Sequence, residues 1–474
     1  MKRFSQIKLT LVGLLCGGLG SLAANAADID QTLLQQGEQV ATASDCQACH
    51  TAPGSKTAFS GGYAIASPMG AIYSTNITPD PATGIGKYTE QQFIEAVRHG
   101  VRADGAQLYP AMPYTSYRMM TDSDAHALYY YFMHGVKPVV QQNTETRLSF
   151  PFNMRFSMKF WNLLYADNKT FQPDAQKSAE WNRGNYLVNG LAHCDTCHTP
   201  RGFMMNEQTD QPLAGAHLGS WYAPNITSDK VSGIGGWSND EIVEYLKTGR
   251  AAGKNQAAGG MAEAVEHSLQ YLPDSDLQAI ATYLKQTTPI RTPGETQAAY
   301  SYGSSSTNVD DQVRGMAPNN ARDSLTSGAA LFSGNCASCH QPDGAGSKNQ
   351  AYPSLFHNTA TGMIHPQNLI ATILFGVQRN TKDHQVLMPG FSSPTYVDNL
   401  TDQQIADISN YVLHNYGNPS VTVKAGDVAW VRKGGHPPAL VALQPYMIPA
   451  MVVGVIIIIL LLVAFRLRRS RRKA

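Results

Sequence analysis

The sequence predicts an all-α protein: three tandem small domains followed by one transmembrane helix at the C-terminus. Three observations predict it. A Cys-x-x-Cys-His pattern recurs at Cys46–His50, Cys194–His198 and Cys336–His340. Each copy lies between a short helical pattern carrying a glycine and a longer amphipathic one. A run from Met447 to Phe465, 19 residues, carries no charge. A length of 474 residues suits about three domains.

The recurring pattern carries the chemistry. Cys-x-x-Cys-His is the c-type haem attachment signature: two thiols form thioethers with the vinyl groups, and the next residue brings an imidazole under the iron. Of seven cysteines, Cys16 falls in the N-terminal leader. The other six are Cys46, Cys49, Cys194, Cys197, Cys336 and Cys339, so none is left for a disulfide. A structural zinc site needs four ligands, and each motif offers three. The reading is three covalently bound haem c groups, with His50, His198 and His340 as axial ligands.

The two chain ends give a compartment. Lys2, Arg3 and Lys8, then an apolar stretch from Leu9 to Leu22 and Ala24-Asn25-Ala26, have the order of a cleavable secretory signal. An uncleaved anchor fits worse because the apolar run is short and Gly-rich, and Leu15 before Cys16 is a poor lipoprotein match. The uncharged run at 447–465 is long enough to cross a bilayer core of about 30 Å. Arg466, Arg468, Arg469, Arg471, Arg472 and Lys473 follow it and place the C-terminus in the cytoplasm. Setting aside the three charges of the signal and the six of the tail, the formal +1 becomes −8. A body of that sign argues against nucleic acid as a partner.

Internal repetition orders the middle of the chain. Asn76-Ile77-Thr78 with Thr83-Gly84-Ile85-Gly86 returns as Asn225-Ile226-Thr227 with Ser232-Gly233-Ile234-Gly235. The third unit lacks this segment. Thr121-Asp122, Pro273-Asp274 and Thr401-Asp402 each open a closing helix with apolar residues at i, i+3 and i+4. Gly37, Gly184 and Gly328, about nine residues before the first Cys of each motif, predict close approach of that closing helix. A helical Gly otherwise costs about 0.5–1 kcal/mol against Ala. The loops between helices are rich in Gly, Pro and Asn, so a buried macrocycle supplies the core they lack.

Met opposite His raises a haem's potential, and three methionines fit that place. Met112 and Met261 both lie 36 residues after their repeat Asn, and Met388, before Pro389, is preferred to Met363. Met69, Met119, Met120, Met133, Met204 and Met205 read as core filler, and His99, His126, His193, His267 and His384 as ordinary polar residues. The two Asn-Ile-Thr segments match a glycosylation pattern, but their matched place near each haem favours a structural role. Residues 286–322 read as a polar linker. The stretch from Arg147 to Tyr165, with Met154, Met158 and Trp161 at helical spacing, reads as packing between units, with a partner or membrane-surface contact as the alternative.

Together the three motifs, the two Asn-Ile-Thr repeats, Ala111-Met112-Pro113 and the C-terminal span resemble the membrane-anchored tri-haem cytochrome c subunit of bacterial periplasmic alcohol, gluconate and fructose dehydrogenases. The resemblance covers nearly the whole chain. It implies cytochrome-c-like domains on the exported side of the inner membrane. It also implies electrons taken from a large periplasmic dehydrogenase subunit (quinoprotein, flavoprotein or molybdenum type) and delivered to ubiquinone. Gly260-Met261-Ala262 departs from the pattern by lacking Pro after Met.

The corresponding division is a signal peptide at 1–26, haem domains at 27–140, 177–290 and 323–420, an aromatic-rich connector at 141–176 and a linker at 291–322. A juxtamembrane linker at 421–446, the span at 447–465 and a basic tail at 466–474 complete it. No catalytic residue is assigned, since haem units, connectors and anchor use up the chain. Donation to a terminal oxidase, or a haem peroxidase with an open sixth site, are the alternative functions.

Overall fold

A computed structural model describes residues 29–167, 169–306 and 326–471. The expected signal at 1–26, much of the 291–322 linker and the last residues of the basic tail lie outside the described residues.

The first unit opens with α1 (Gln31–Ala43), started by Asp30, whose carboxylate accepts from the amides of Thr32 and Leu33. The motif forms the single turn α2 (Cys46–His50), and a ribbon β1 (Ala64–Ser67) and β2 (Gly70–Tyr73) follows. Next come α3 (Glu90–His99), with a Thr89–Gln92 capping box, the short α4 (Tyr114–Tyr117) and the closing α5 (Asp122–Tyr130), capped by Thr121. The capped starts satisfy amides that a helix N-terminus otherwise leaves unpaired.

After a connector containing α6 (Ser157–Tyr165), the second unit repeats the order. It runs through α7 (Ala179–Tyr186), motif helix α8 (Cys194–His198), ribbon β3 (Ala216–Leu218) and β4 (Trp221–Ala223), and α9 (Asn239–Thr248). A second ribbon, β5 (Arg250–Ala251) with β6 (Asn255–Gln256), leads to α10 (Gly259–His267) and the closing α11 (Asp274–Leu284). The third unit has α12 (Gly328–Asn335), motif turn α13 (Ala337–His340), α14 (Thr359–Gly362), α15 (Gln367–Phe375), ribbon β7 (Val377–Asn380) and β8 (Gln385–Met388), and closing α16 (Asp402–Tyr416). The chain is thus mostly helical, and the four ribbons occupy loops that the sequence marked only as irregular. Their strands have two to four residues, too short for a period to register.

In every unit the first and last helices cross at the expected glycine. A Cβ on Gly37 would sit 2.1 Å from the Ala127 carbonyl oxygen, on Gly184 2.0 Å from that of Ala279, and on Gly328 2.4 Å from that of Asp407. The units are not packed alike. Val40, Phe93, Leu128 and Phe132 of the first share one continuous apolar core with Leu187, Leu191, Leu246 and Ile280 of the second. Phe332, Leu369, Ile405 and Val412 form a separate core in the third.

The connector bridges the first two units. Tyr109 Oη donates to the Phe152 carbonyl at 3.0 Å, Tyr114 Oη to Asn162 Oδ1 at 2.8 Å, and Trp161 Nε1 to the Met204 carbonyl at 2.9 Å. Beyond the third unit, α17 (Ala425–Arg432) and α18 (Ala439–Ala442) lead to α19 (Gln444–Arg471). Its stretch Gln444–Arg468 has a mean hydropathy of 3.2 over its most apolar window, and no residue of that window is buried among the described residues. It starts three residues before the expected span and has the length and composition to cross a bilayer.

Candidate haem-attachment sites

Each motif compresses two thiols and an imidazole into one helical turn. In the first two the chain enters through a left-handed residue, Asp45 (φ 52°) or His193 (φ 39°). The third enters through Cys336 and leaves through left-handed Gln341 (φ 63°). Among the described residues, Cys46, Cys49, Cys194, Cys197, Cys336 and Cys339 form no disulfide. Burial pushes Cys46, Cys194 and Cys336 up to about 12. Such surroundings disfavour thiolate and suit a sulfur that carries no charge, as in a thioether.

The histidines are oriented alike. His50 Nδ1 bonds the Thr75 carbonyl at 2.7 Å, His198 Nδ1 that of Pro224 at 2.6 Å, and His340 Nδ1 that of Pro353 at 2.9 Å. A carbonyl only accepts, so Nδ1 carries the proton and Nε2 presents its lone pair. Burial lowers all three pKa values and so favours the neutral ring, and the hydrogen bond to the carbonyl acts in the opposite direction. Each backbone is fixed as well: the carbonyls of His50, His198 and His340 accept from the amides of Gly61, Gly215 and Gly346. This donor set fits a haem with a proximal imidazole.

Asn76 and Asn225 serve this arrangement from the residue after the accepting carbonyl. Asn76 Oδ1 takes Thr78 N at 2.9 Å and Oγ1 at 2.7 Å, while Nδ2 reaches the Val139 carbonyl. Asn225 repeats the turn with Thr227 and the Ile290 carbonyl. Both are buried, and so unsuited to carry a glycan; the turn-closing role is the one the fold uses.

The three methionines occupy one topological place. Gly100, Gly249 and Gly376 cap α3, α9 and α15 with φ of 66°, 75° and 75°. Met112, Met261 and Met388 each lie 12 residues beyond that glycine, after a short antiparallel excursion (Val101 with Gln107, β5 with β6, β7 with β8). Met112 sits in a tight turn before α4, Met261 in the first turn of α10, and Met388 at the end of β8. The 12-residue spacing was visible in the sequence, but only to a reader who knew where the helices end. Met388 also lines a cleft of about 870 Å³ with Phe375, Leu387, Pro389 and Tyr396; His340 is not part of that wall. Met120 is buried as filler should be, whereas Met204 is 38% exposed and does not fill the core; Met363, the alternative to Met388, is buried.

Sequence reasoning missed the contacts between motifs. Ser116 Oγ, on α4 of the first unit, lies 3.1 Å from both Asp195 Oδ1 and Thr196 Oγ1 in the second motif. Tyr117 donates to the Ser44 carbonyl beside the first motif and stands edge-on to His193, centroids 5.5 Å apart, beside the second. In return α10 packs against α2, and Tyr63 Oη reaches Glu263 at 3.3 Å. Arg379 of β7, fully buried, donates to the Ala257 carbonyl and joins the Met-bearing loops of the second and third units. These pairs are far apart in sequence and carry no periodic signal.

Helical units built on Cys-x-x-Cys-His turns with carbonyl-tethered histidines define a c-type cytochrome, and a cytochrome c family model matches residues 325–415. The chain is 50% identical to the fructose dehydrogenase cytochrome subunit of Gluconobacter japonicus over 404 residues, 85% of this chain and 83% of that one. It is 41% identical to the cytochrome c subunit of the quinone alcohol dehydrogenase of Komagataeibacter europaeus, over 88% of each. It is 39% identical to the gluconate 2-dehydrogenase cytochrome c subunit of Pantoea cypripedii, over 90% of this chain and 95% of that one. The chain therefore belongs to the family of cytochrome c subunits of dehydrogenase complexes. It carries covalent haem c and transfers electrons.

Proposed function

We propose that this chain is a tri-haem, membrane-anchored subunit that carries electrons from a periplasmic substrate-oxidising dehydrogenase subunit to ubiquinone. The haems are held by Cys46, Cys49, His50 and Met112; by Cys194, Cys197, His198 and Met261; and by Cys336, Cys339, His340 and Met388. The domains are 27–140, 177–290 and 323–420. The span puts them in the periplasm and the basic tail in the cytoplasm. The observation that carries the reading is the threefold recurrence of one arrangement: a tethered histidine on the motif turn and a methionine 12 residues past a helix-capping glycine. A quinone acceptor draws support from the Komagataeibacter relative, a subunit of a quinone alcohol dehydrogenase.

Bound haem supplies a one-electron couple. The chain's residues orient the imidazole through Nδ1 and, by burying it, favour its neutral form. The experiment is reconstitution of the native complex in liposomes with ubiquinone. Expected are three haems per chain and substrate-dependent quinone reduction that is lost when this chain is removed. One or two haems per chain, or quinone reduction by the remaining subunits, would overturn the proposal.

A further inference from the structure

The helix α6 presents two unlike faces. Met158, Trp161 and Asn162 turn inward, where the Trp161 indole and the Asn162 amide hold the second and first units through Met204 and Tyr114. Outward lie Phe156 (61% exposed), Phe160 (65%), Leu163 (83%) and Leu164 (71%). Their spacing of i, i+4, i+7 and i+8 makes one stripe along the helix. Scattered exposed apolar residues need no explanation, but four large ones on a single face mark an interaction surface.

The place of this stripe says what covers it. Gln444, the first residue of α19, donates its Nε2 to the Phe150 carbonyl at 2.9 Å. The connector that carries α6 is therefore hydrogen-bonded to the point where the membrane-length helix begins. An apolar stripe at the foot of a spanning helix meets the surface of the same bilayer. The composition agrees: Lys159 is exposed beside the stripe, and Tyr165 is exposed at its end. Interfacial helices combine an apolar face with basic and aromatic flanks in this way.

We propose that α6 is an interfacial helix, its Phe156, Phe160, Leu163 and Leu164 side chains inserted into the phospholipid leaflet that α19 enters; this rests on reading α19 as a membrane span. The insertion fixes the orientation of the haem units as well as their distance from the membrane. Tyr109 and Tyr114, which bracket Met112, are both bonded to the connector. The Met112 loop is thereby held at the membrane surface.

The test is lipid photolabelling of the native complex in phosphatidylcholine–phosphatidylglycerol vesicles doped with a diazirine-bearing phosphatidylcholine, read by peptide mass spectrometry. Adducts are expected on α19 and on residues 156–165. The triple substitution F160S/L163S/L164S should remove the second set alone, with the visible haem spectrum unchanged. Adducts on α19 without any on 156–165 overturn the interfacial helix and leave the span intact. Adducts on 156–165 that appear only after the dehydrogenase subunit is removed overturn it in favour of a protein partner. Adducts on neither segment refute the span, and the inference falls with it.

Discussion

At the scale of single residues, what matters is which atom of each side chain is left free. Tying Nδ1 to a backbone carbonyl spends one ring nitrogen on orientation and leaves Nε2 free for the proposed bond to iron. In the proposed ligation a methionine thioether stands on the other side, a weak donor that favours the reduced iron and would hold the potential up. Met388→His should therefore lower the midpoint potential of one haem of the three and abolish one third of the methionine–iron charge-transfer band. The assignment is checked by spectroelectrochemical titration of this variant beside Met363→His, which should leave all three potentials in place. A shift in Met363→His and none in Met388→His would reverse the choice of ligand. That choice was legible in the sequence through Pro389 alone; the cap at Gly376 adds the spacing that makes the three units agree.

At the scale of helices, two opposing effects meet at the crossing glycines. Replacing a helical Gly by Ala should stabilise by about 0.5–1 kcal/mol through helix propensity. At Gly184 the new methyl group would lie 2.0 Å from a carbonyl oxygen of α11, and backbone cannot yield as a flexible side chain can. Overpacking of this kind costs about 1–3 kcal/mol, so Gly184→Ala is expected to destabilise by about that much. Gly426, in α17, has no neighbour near its Cβ position, and Gly426→Ala should raise stability by about 0.5–1 kcal/mol. Denaturant midpoints of the two variants give opposite signs if close approach, and not chain entropy, explains the repeated glycines. This crossing was readable because a glycine recurred at one place in three units. The closing helices were readable from their acidic starts and apolar spacing. The ribbons, and the pairing of α4 with the second motif, were not, because short strands and tertiary neighbours leave no period in a sequence.

Over the whole molecule, the three copies in sequence are divided between two apolar cores in space. The first two units share one core and also polar contacts: Tyr186 Oη donates to Asp124 at 2.7 Å and accepts from the Thr121 amide at 3.1 Å. Leu187 belongs to the second unit by sequence, yet it is fully buried in the core that also holds Val40 and Phe132 of the first. Truncating such a leucine to alanine costs about 2–5 kcal/mol. Because the core is continuous, Leu187→Ala should shift the unfolding of both units together, so that the Met112 and Met261 ligation signals are lost at one lowered guanidinium midpoint. The third unit's signal should keep its midpoint, since Ile405 and its neighbours form a separate cluster; Ile405→Ala should do the converse. Following the three haem signals through the denaturant titration decides the matter. Loss of the second unit's signal alone in Leu187→Ala would mean that the shared core is contact without cooperativity. A single coupled transition means that the two adjacent motifs keep a fixed separation for as long as either unit is folded, as one-electron hopping between them requires.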